Sequence, residues 1–190
     1  MMIEKIVIIG GGQASLSCAS QLRSLGFKGD ICMICQESYY PYQRPPLSKK
    51  FLTGQFLEER LLLKKVDYYK TNNIQVLLSN KAIKIDRDNK KVHLESGEKI
   101  DYTKLVIAIG SKAKKAPLSN HDNYSNAYYL RNLHDAKKLK NQLHAGKKIL
   151  IIGMKMNICL KLNSRLVPVS YTHLRAHETV LDLVCRLLLE

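Results

Sequence analysis

The chain writes nearly the same strand twice, Lys5-Ile6-Val7-Ile8-Ile9-Gly10 near the start and Lys148-Ile149-Leu150-Ile151-Ile152-Gly153 near the end. A largely β-branched run of this kind has no polar face to give to water, so it must lie in a sheet covered on both sides. A glycine closing such a run is the pattern of a parallel strand that delivers its end to a nucleotide phosphate. The first copy continues into Gly11-Gly12-Gln13-Ala14-Ser15 and the second into Met154-Lys155-Met156-Asn157. These residues predict one dinucleotide-binding unit and only the first strand of another.

Beyond the first glycine loop, Ala14, Cys18, Leu22 and Leu25 recur at helical spacing until Gly26 stops them. The segment Asp30 to Cys35 reads as the next strand, and Glu37 stands just past its end. Strand, glycine turn, helix, strand and acid follow one another in the order of a Rossmann unit. The stretch Tyr39-Tyr40-Pro41-Tyr42-Gln43-Arg44-Pro45-Pro46-Leu47-Ser48-Lys49-Lys50 is too rich in proline for helix or strand and predicts an ordered loop, with Ser48 available to cap a short helix. A helix is expected over 66–71. Strands are expected over 74–78, 82–86, 91–94 and 104–109, with Ser96-Gly97 as a turn, giving a hairpin or meander plus one more strand of the main sheet. Residues 120–126 read as polar and turn-prone, and 127–130 turn apolar again. Asn132 followed by Asp135 predicts a capped helix start, continued by Leu133, Ala136, Leu139 and Leu143 to a stop at Gly146.

With 190 residues, 45% of them hydrophobic, the chain can bury one substantial core and part of a second. Its longest apolar runs, such as 6–9 and 61–63, fall far short of the roughly twenty residues that span a bilayer. Glu4 just before the first apolar run reads as a buried strand's flank rather than a secretion signal, so a cytoplasmic protein without membrane association is expected. The five cysteines are scattered and odd in number, which is no disulfide framework. Cys32 and Cys35 have the spacing of a redox or metal pair. In an extended strand, however, residues three apart face opposite sides, which makes them core thiols. His173 and His177 lie four apart but lack the HExxH order and a third ligand, so no metal site is assigned. The net charge of +15 suits acidic partners. The lysines occur singly and in pairs without interleaved aromatics, so nucleic-acid binding is not expected.

With the glycine loop, Glu37, the YYPYQRPPLSK stretch and the repeated strand, residues 3 to 153 resemble the two-dinucleotide-binding flavoproteins that reduce ferredoxins and related iron-sulfur proteins. The resemblance implies an α/β, Rossmann-like FAD-binding domain of the glutathione-reductase type, cut off at the first strand of its NAD(P)-binding domain. It implies that the FAD pyrophosphate lies over Gly10, Gly12, Gln13, Ala14 and Ser15, and that Glu37 holds the adenosine ribose. Lys49 would face the isoalloxazine as the catalytic cation, with Arg44 and Arg131 flanking the FAD, Ala82 at its adenine end, and Ala108 and Gly110 where the family writes Ala-Thr-Gly. Helix-start amides suit a pyrophosphate, a carboxylate accepts ribose hydroxyls, and a cation stabilises charge arriving on a flavin. Two residues depart from the family pattern: Ser15 stands for the third glycine, and Ile109 stands for a threonine.

The resemblance ends at Gly153. Residues 154–190 contain no glycine, so they cannot repeat the phosphate turn. From about Val169 they resemble translated sequencing-adapter sequence, and Leu181, Leu183, Leu187 and Leu188 are spaced for an amphipathic helix. The expected organisation is therefore an FAD-binding domain over 1–118, a connection and first strand of a truncated NAD(P)-binding domain over 119–153, and a tail foreign to the family over 154–190. The parent enzyme implied by the resemblance passes electrons from NAD(P)H through FAD to an acidic ferredoxin or rubredoxin-type acceptor. It would do so without a redox disulfide, since the first helix carries no CxxxxC. The NAD(P)H site is expected to be missing from these residues, leaving the chain inactive by itself. Two alternatives share parts of this pattern. One is a fragment of a related NADH oxidase or nitrite-reductase-type flavoprotein; the other is a non-enzymatic nucleotide- or polyanion-binding fragment.

Overall fold

The computed structural model describes residues 4–113 and 127–143, together with the strand stretches 149–152, 161–162, 165–166 and 186–189. The chain divides into two compact units, the first made of Met1–Gln43 and Leu62–Gly110, the second of Arg44–Leu61 and Ser111–Glu190.

The first unit is built on a four-stranded parallel sheet. Its strands are β1 (Lys5–Ile9), β2 (Asp30–Ile34), β3 (Ile74–Leu77) and β7 (Lys104–Ile107), in the order β3-β2-β1-β7. Ile6 sits opposite Ile31 on one side and Lys104 on the other, so β1 is paired along both edges. Its side chains alternate between two cores. Ile6 and Ile8 join Leu16 and Ala19 of helix α1 (Gln13–Ser24) and Tyr69 of helix α2 (Val66–Thr71). Val7 and Ile9 join Val92, Leu94 and Ile100 from an antiparallel meander of β4 (Ala82–Asp86), β5 (Lys91–Leu94) and β6 (Lys99–Asp101). The unit is thus three layers, helices, sheet and meander, and the apolar run of β1 exists because both of its faces are covered. Burying each such side chain contributes about 1.5–3 kcal/mol.

Helix α1 ends as its sequence prescribes. Gly26 takes φ +83, its N–H bonds the Arg23 carbonyl (3.0 Å), and the Phe27 N–H reaches back to the Leu22 carbonyl (3.0 Å). That pair of bonds satisfies carbonyls of the last turn of the helix while Leu22 and Phe27 each pack against the core. Leu25 stands in the expected apolar period but at the cap itself, where it is exposed. The buried stripe runs instead through Ser15, Leu16 and Ala19.

Two expectations are corrected and one strand is added. The strand at 74–77 belongs to the main sheet rather than to the meander, because β3 pairs in parallel with β2 from Ile31 opposite Ile74 onward. The third strand of the meander is Lys99–Asp101, too short to show alternation in the sequence. Ser48 does not cap a helix. Pro45–Ser48 is itself a 3-10 turn, started by Pro45 and Pro46, whose missing N–H groups cost nothing at a helix start.

In the second unit that turn carries the buried Leu47, another at Glu58–Leu61 carries the buried Leu61, and Phe51 and Leu52 between them are buried as well. Helix α3 (Leu133–Gln142) packs on the first turn and buries Leu133, Ala136 and Leu139. Its start is the expected capping box, in which the Asp135 N–H donates to Asn132 Oδ1 (2.8 Å) and the Asn132 N–H donates to Asp135 Oδ2 (3.1 Å). Strands β8 (Ala127–Tyr129) and β9 (Ile149–Ile152) are followed by the short hairpin β10 (Lys161–Leu162) and β11 (Arg165–Leu166). The last strand, β12 (Arg186–Leu189), pairs antiparallel with both β8 and β9. Leu187 and Leu188 are therefore extended rather than helical. The expected turn over 120–126, the stop at Gly146, and Leu181, Leu183, His173 and His177 lie outside the described residues. Among the described residues no helix is long and apolar enough to cross a membrane.

Candidate functional site

The C-terminal ends of β1 and β2 lie side by side because the strands are parallel and in register. What emerges from them therefore meets at one edge of the first unit. From β1 comes the glycine loop. The Gly10 N–H donates to the Ile34 carbonyl (2.9 Å), tying the loop to β2, and Gly10 takes φ +139, a conformation that L side chains rarely adopt. A Cβ at Gly10 would also collide with the Ala108 carbonyl oxygen and stand 2.7 Å from Ser15 Oγ. Gly10, Ser15 and Ala108 are thus brought together from the end of β1, the start of α1 and the end of β7. The serine in the third glycine position fits because Gly10 has no side chain to oppose it. The Ser15 hydroxyl is fully buried and finds no hydrogen-bond partner.

Gly12 differs from Gly10. It is the N-cap of α1, with φ −101 and ψ −171, and a Cβ there would meet nothing within 4 Å. The first bond within the helix runs from the Leu16 N–H to the Gly12 carbonyl (3.2 Å), so the amides of Gln13, Ala14 and Ser15 precede the helical ladder. The first turn carries neither an acidic residue nor a capping side chain. A helix start of this kind, with N–H groups outside the ladder and the positive end of the helix dipole, suits an anionic phosphate.

Beyond β2 stands Glu37. Its main-chain carbonyl accepts from the Ser79 N–H (3.1 Å), while the neighbouring Cys35 carbonyl accepts from the Asn80 N–H (2.9 Å). Its carboxylate accepts from the phenol of Tyr42 (Oη to Oε2, 2.6 Å). Ala82 follows at the start of β4, half-buried and paired with Leu94. Ala108 continues the β7 ladder through its N–H to the Ile9 carbonyl (2.8 Å), and Ile109 and Gly110 beyond it are exposed.

Cys32 and Cys35 point into opposite cores, Cys32 among the meander residues and Cys35 among the helix residues. Burial pushes the Cys32 thiol up to about 11 and the Cys35 thiol up to about 12. Both stay protonated and unreactive at neutral pH. The Cys35 thiol lies under the loop, where its Sγ and Cβ would come within 3.1 Å of a side chain on Gly11. Cys18, Cys32 and Cys35 are all free thiols. Among the described residues no three His, Cys, Asp or Glu side chains cluster as metal ligands.

The remaining site candidates belong to the second unit. Arg44 donates to the Arg131 carbonyl (3.0 Å), and the Arg131 guanidinium donates to the Ser111 carbonyl (3.1 Å) and hydroxyl (2.9 Å). Lys49 is exposed at the close of the 3-10 turn, its N–H bonded to the Pro46 carbonyl (3.0 Å). Sequence reasoning passed over two residues that the structure brings forward. Tyr42 appeared only as a letter in the proline-rich stretch. Arg23 appeared not at all, yet its guanidinium donates to four carbonyls, those of Asn72, Phe27, Gly29 and Asn73, at 2.7–2.8 Å. A basic residue in the last turn of α1 was the one available signal for it.

Residues 4–154 match the family model described as pyridine nucleotide-disulphide oxidoreductase. A rubredoxin-NAD(+) reductase of Pseudomonas putida is 38% identical over 148 residues, covering 78% of this chain and 38% of the relative. An NADH-rubredoxin oxidoreductase of Clostridium acetobutylicum is 41% identical over 153 residues, covering 80% and 39%. Among solved structures, that of the covalent putidaredoxin reductase-putidaredoxin complex matches with a TM-score of 0.73 at 35% identity, over 77% of this chain and 36% of that one. The chain therefore spans less than two fifths of the length of these curated relatives.

Proposed function

Because the chain belongs to the pyridine nucleotide-disulphide oxidoreductase family, we propose that its first unit binds FAD as part of a reductase passing electrons from NAD(P)H to a ferredoxin or rubredoxin-type iron-sulfur protein. The observation that carries the reading is the start of α1. Gly12 leaves open space where a side chain would stand, the amides of Gln13, Ala14 and Ser15 lie outside the helical ladder, and no acid in that turn would repel a pyrophosphate. The Glu37 carboxylate, past the end of the adjacent strand, suits the hydroxyls of an adenosine ribose. The residues present fit an FAD on both counts.

Bound there, FAD would supply the redox chemistry, a two-electron acceptor that returns electrons singly. The protein's own residues bind and orient it. The helix start would hold the pyrophosphate and Glu37 the ribose, while Cys32 and Cys35, held as neutral thiols, would take no part. Ala82, Ala108 and Gly110 in the first unit, and Arg44, Lys49 and Arg131 in the second, carry the roles that the family resemblance assigns, with Lys49 as the cation toward the flavin ring. An acidic electron acceptor is part of the proposal, supported by the net charge of +15. A cytoplasmic location is also part of it, supported by five scattered cysteines without a disulfide framework. Since residues 154–190 hold no glycine for a second phosphate turn, the 190-residue chain is expected to bind FAD without turning over NAD(P)H.

The test is a titration of the purified chain with FAD, followed by quenching of flavin fluorescence. Saturation at one FAD per chain supports the reading, and fluorescence that stays at its free value throughout overturns it.

A further inference from the structure

We propose that Tyr42 is a positioning residue for the nucleotide end of the site, holding the Glu37 carboxylate in the orientation that receives a ribose diol. The inference rests on the FAD reading above and adds a residue that the loop-and-acid pattern does not include. The phenol donates to Glu37 Oε2 at 2.6 Å, a short charge-assisted bond. The residue is only 3% exposed, so bulk water has little access to it. Tyr39 packs edge-on to that ring (6.4 Å between centroids, 85° between planes), and the Tyr42 backbone is bridged to Leu62. The donor is therefore fixed before any ligand arrives. At the other end of the residue, the Ser79 N–H holds the Glu37 main-chain carbonyl (3.1 Å).

A glutamate in solution samples many rotamers, and a ligand that needs one of them must pay for the loss of the rest on binding. With backbone and carboxylate both anchored, that loss occurs on folding instead. A carboxylate presents about four acceptor positions, of which the phenol takes one.

The test compares ligands that do and do not carry the adenosine half. Tyr42→Phe removes one buried oxygen and keeps the ring. FAD and ADP are expected to bind about tenfold more weakly to it, the usual scale for one hydrogen bond to a charged group, while FMN, which lacks the adenosine, binds as before. In a Glu37→Gln background the same change is expected to add less than about twofold, since the charged acceptor is already gone. Glu37→Asp serves as a second variant, because its shorter side chain withdraws from the phenol with Tyr42 left in place, and the same selective loss of FAD and ADP is expected. Unchanged FAD affinity in Tyr42→Phe, equal weakening of FMN, or full additivity with Glu37→Gln overturns the inference while the wild-type titration leaves the FAD reading standing. Failure of the wild-type chain to bind FAD or ADP overturns both.

Discussion

Adding one methyl group at Gly12 tests whether the glycine loop is shaped by the protein or by its ligand. The φ of −101 and ψ of −171 are open to any L residue, and the new Cβ would meet no atom within 4 Å. In the ligand-free chain two small effects oppose each other. Reduced freedom of the unfolded chain favours alanine by about 0.4–1 kcal/mol, and the poorer N-cap disfavours it by about 0.5–1 kcal/mol. Gly12→Ala is therefore expected to change the unfolding free energy by less than about 0.5 kcal/mol. In the complex the methyl occupies the space through which the pyrophosphate approaches, and overpacking of that kind costs about 1–3 kcal/mol, or roughly 5- to 150-fold in affinity for FAD. Gly10→Ala reverses the pattern. Its φ of +139 and the contact with the Ala108 carbonyl load the cost onto the fold. Backbone strain of about 1–3 kcal/mol and overpacking of about 1–3 kcal/mol give a loss near 4 kcal/mol, a large part of a typical stability. Urea unfolding by far-UV circular dichroism measures the first quantity, and flavin fluorescence measures the second. The reasoning fails if Gly12→Ala loses more than about 1.5 kcal/mol without ligand, if it binds FAD like the wild type, or if Gly10→Ala proves the milder of the two.

Arg23 supplies a purely structural counterpart. Three of its four carbonyl bonds are partly buried, so at about 1 kcal/mol each Arg23→Ala is expected to cost about 3 kcal/mol in urea unfolding. Arg23→Lys should recover less than half of that, because an ammonium cannot fork to four carbonyls on two segments. The buried thiols set a pH dependence. With folded values of about 11 for Cys32 and about 12 for Cys35 against an ordinary 9.0, the unfolded thiols lose their protons first. Their contribution is complete below about pH 9 and falls away as pH rises through the folded values. The urea midpoint should drop between pH 9 and 11, and drop less in a Cys32→Ala/Cys35→Ala double variant. Equal slopes in the two proteins would remove the thiols from the account.

What could be read in advance was local. The capping box at Asn132 and Asp135 needs only residues three apart, and the helix stop at Gly26 needs only a residue free to take φ +83. The opposed faces of Cys32 and Cys35 follow from the two-residue repeat of a strand. Where the signal was short or ambiguous it misled. Lys99–Asp101 is three residues long, the run at 74–77 gave no clue that its partner would be β2, and Leu25 kept the helical period while standing at an exposed cap. A strand's sequence states that it will pair, but the identity of its partner depends on which other edge the closed chain presents.

The amino-acid sequence by itself determined that β1 would be buried on both faces, that a glycine loop and a helix start would follow it, and that an acid would stand past the end of the next strand. Each of these rests on the chemistry of neighbouring residues. Only the tertiary structure decided that the Gly10 backbone would press on Ala108, that Arg23 would reach Asn72 and Asn73, and that the chain entering the proline-rich stretch would turn Tyr42 back onto Glu37. Such contacts form when separate segments are packed against a common sheet, and no periodicity or propensity along the chain records which side chains that packing brings within a bond's length of one another.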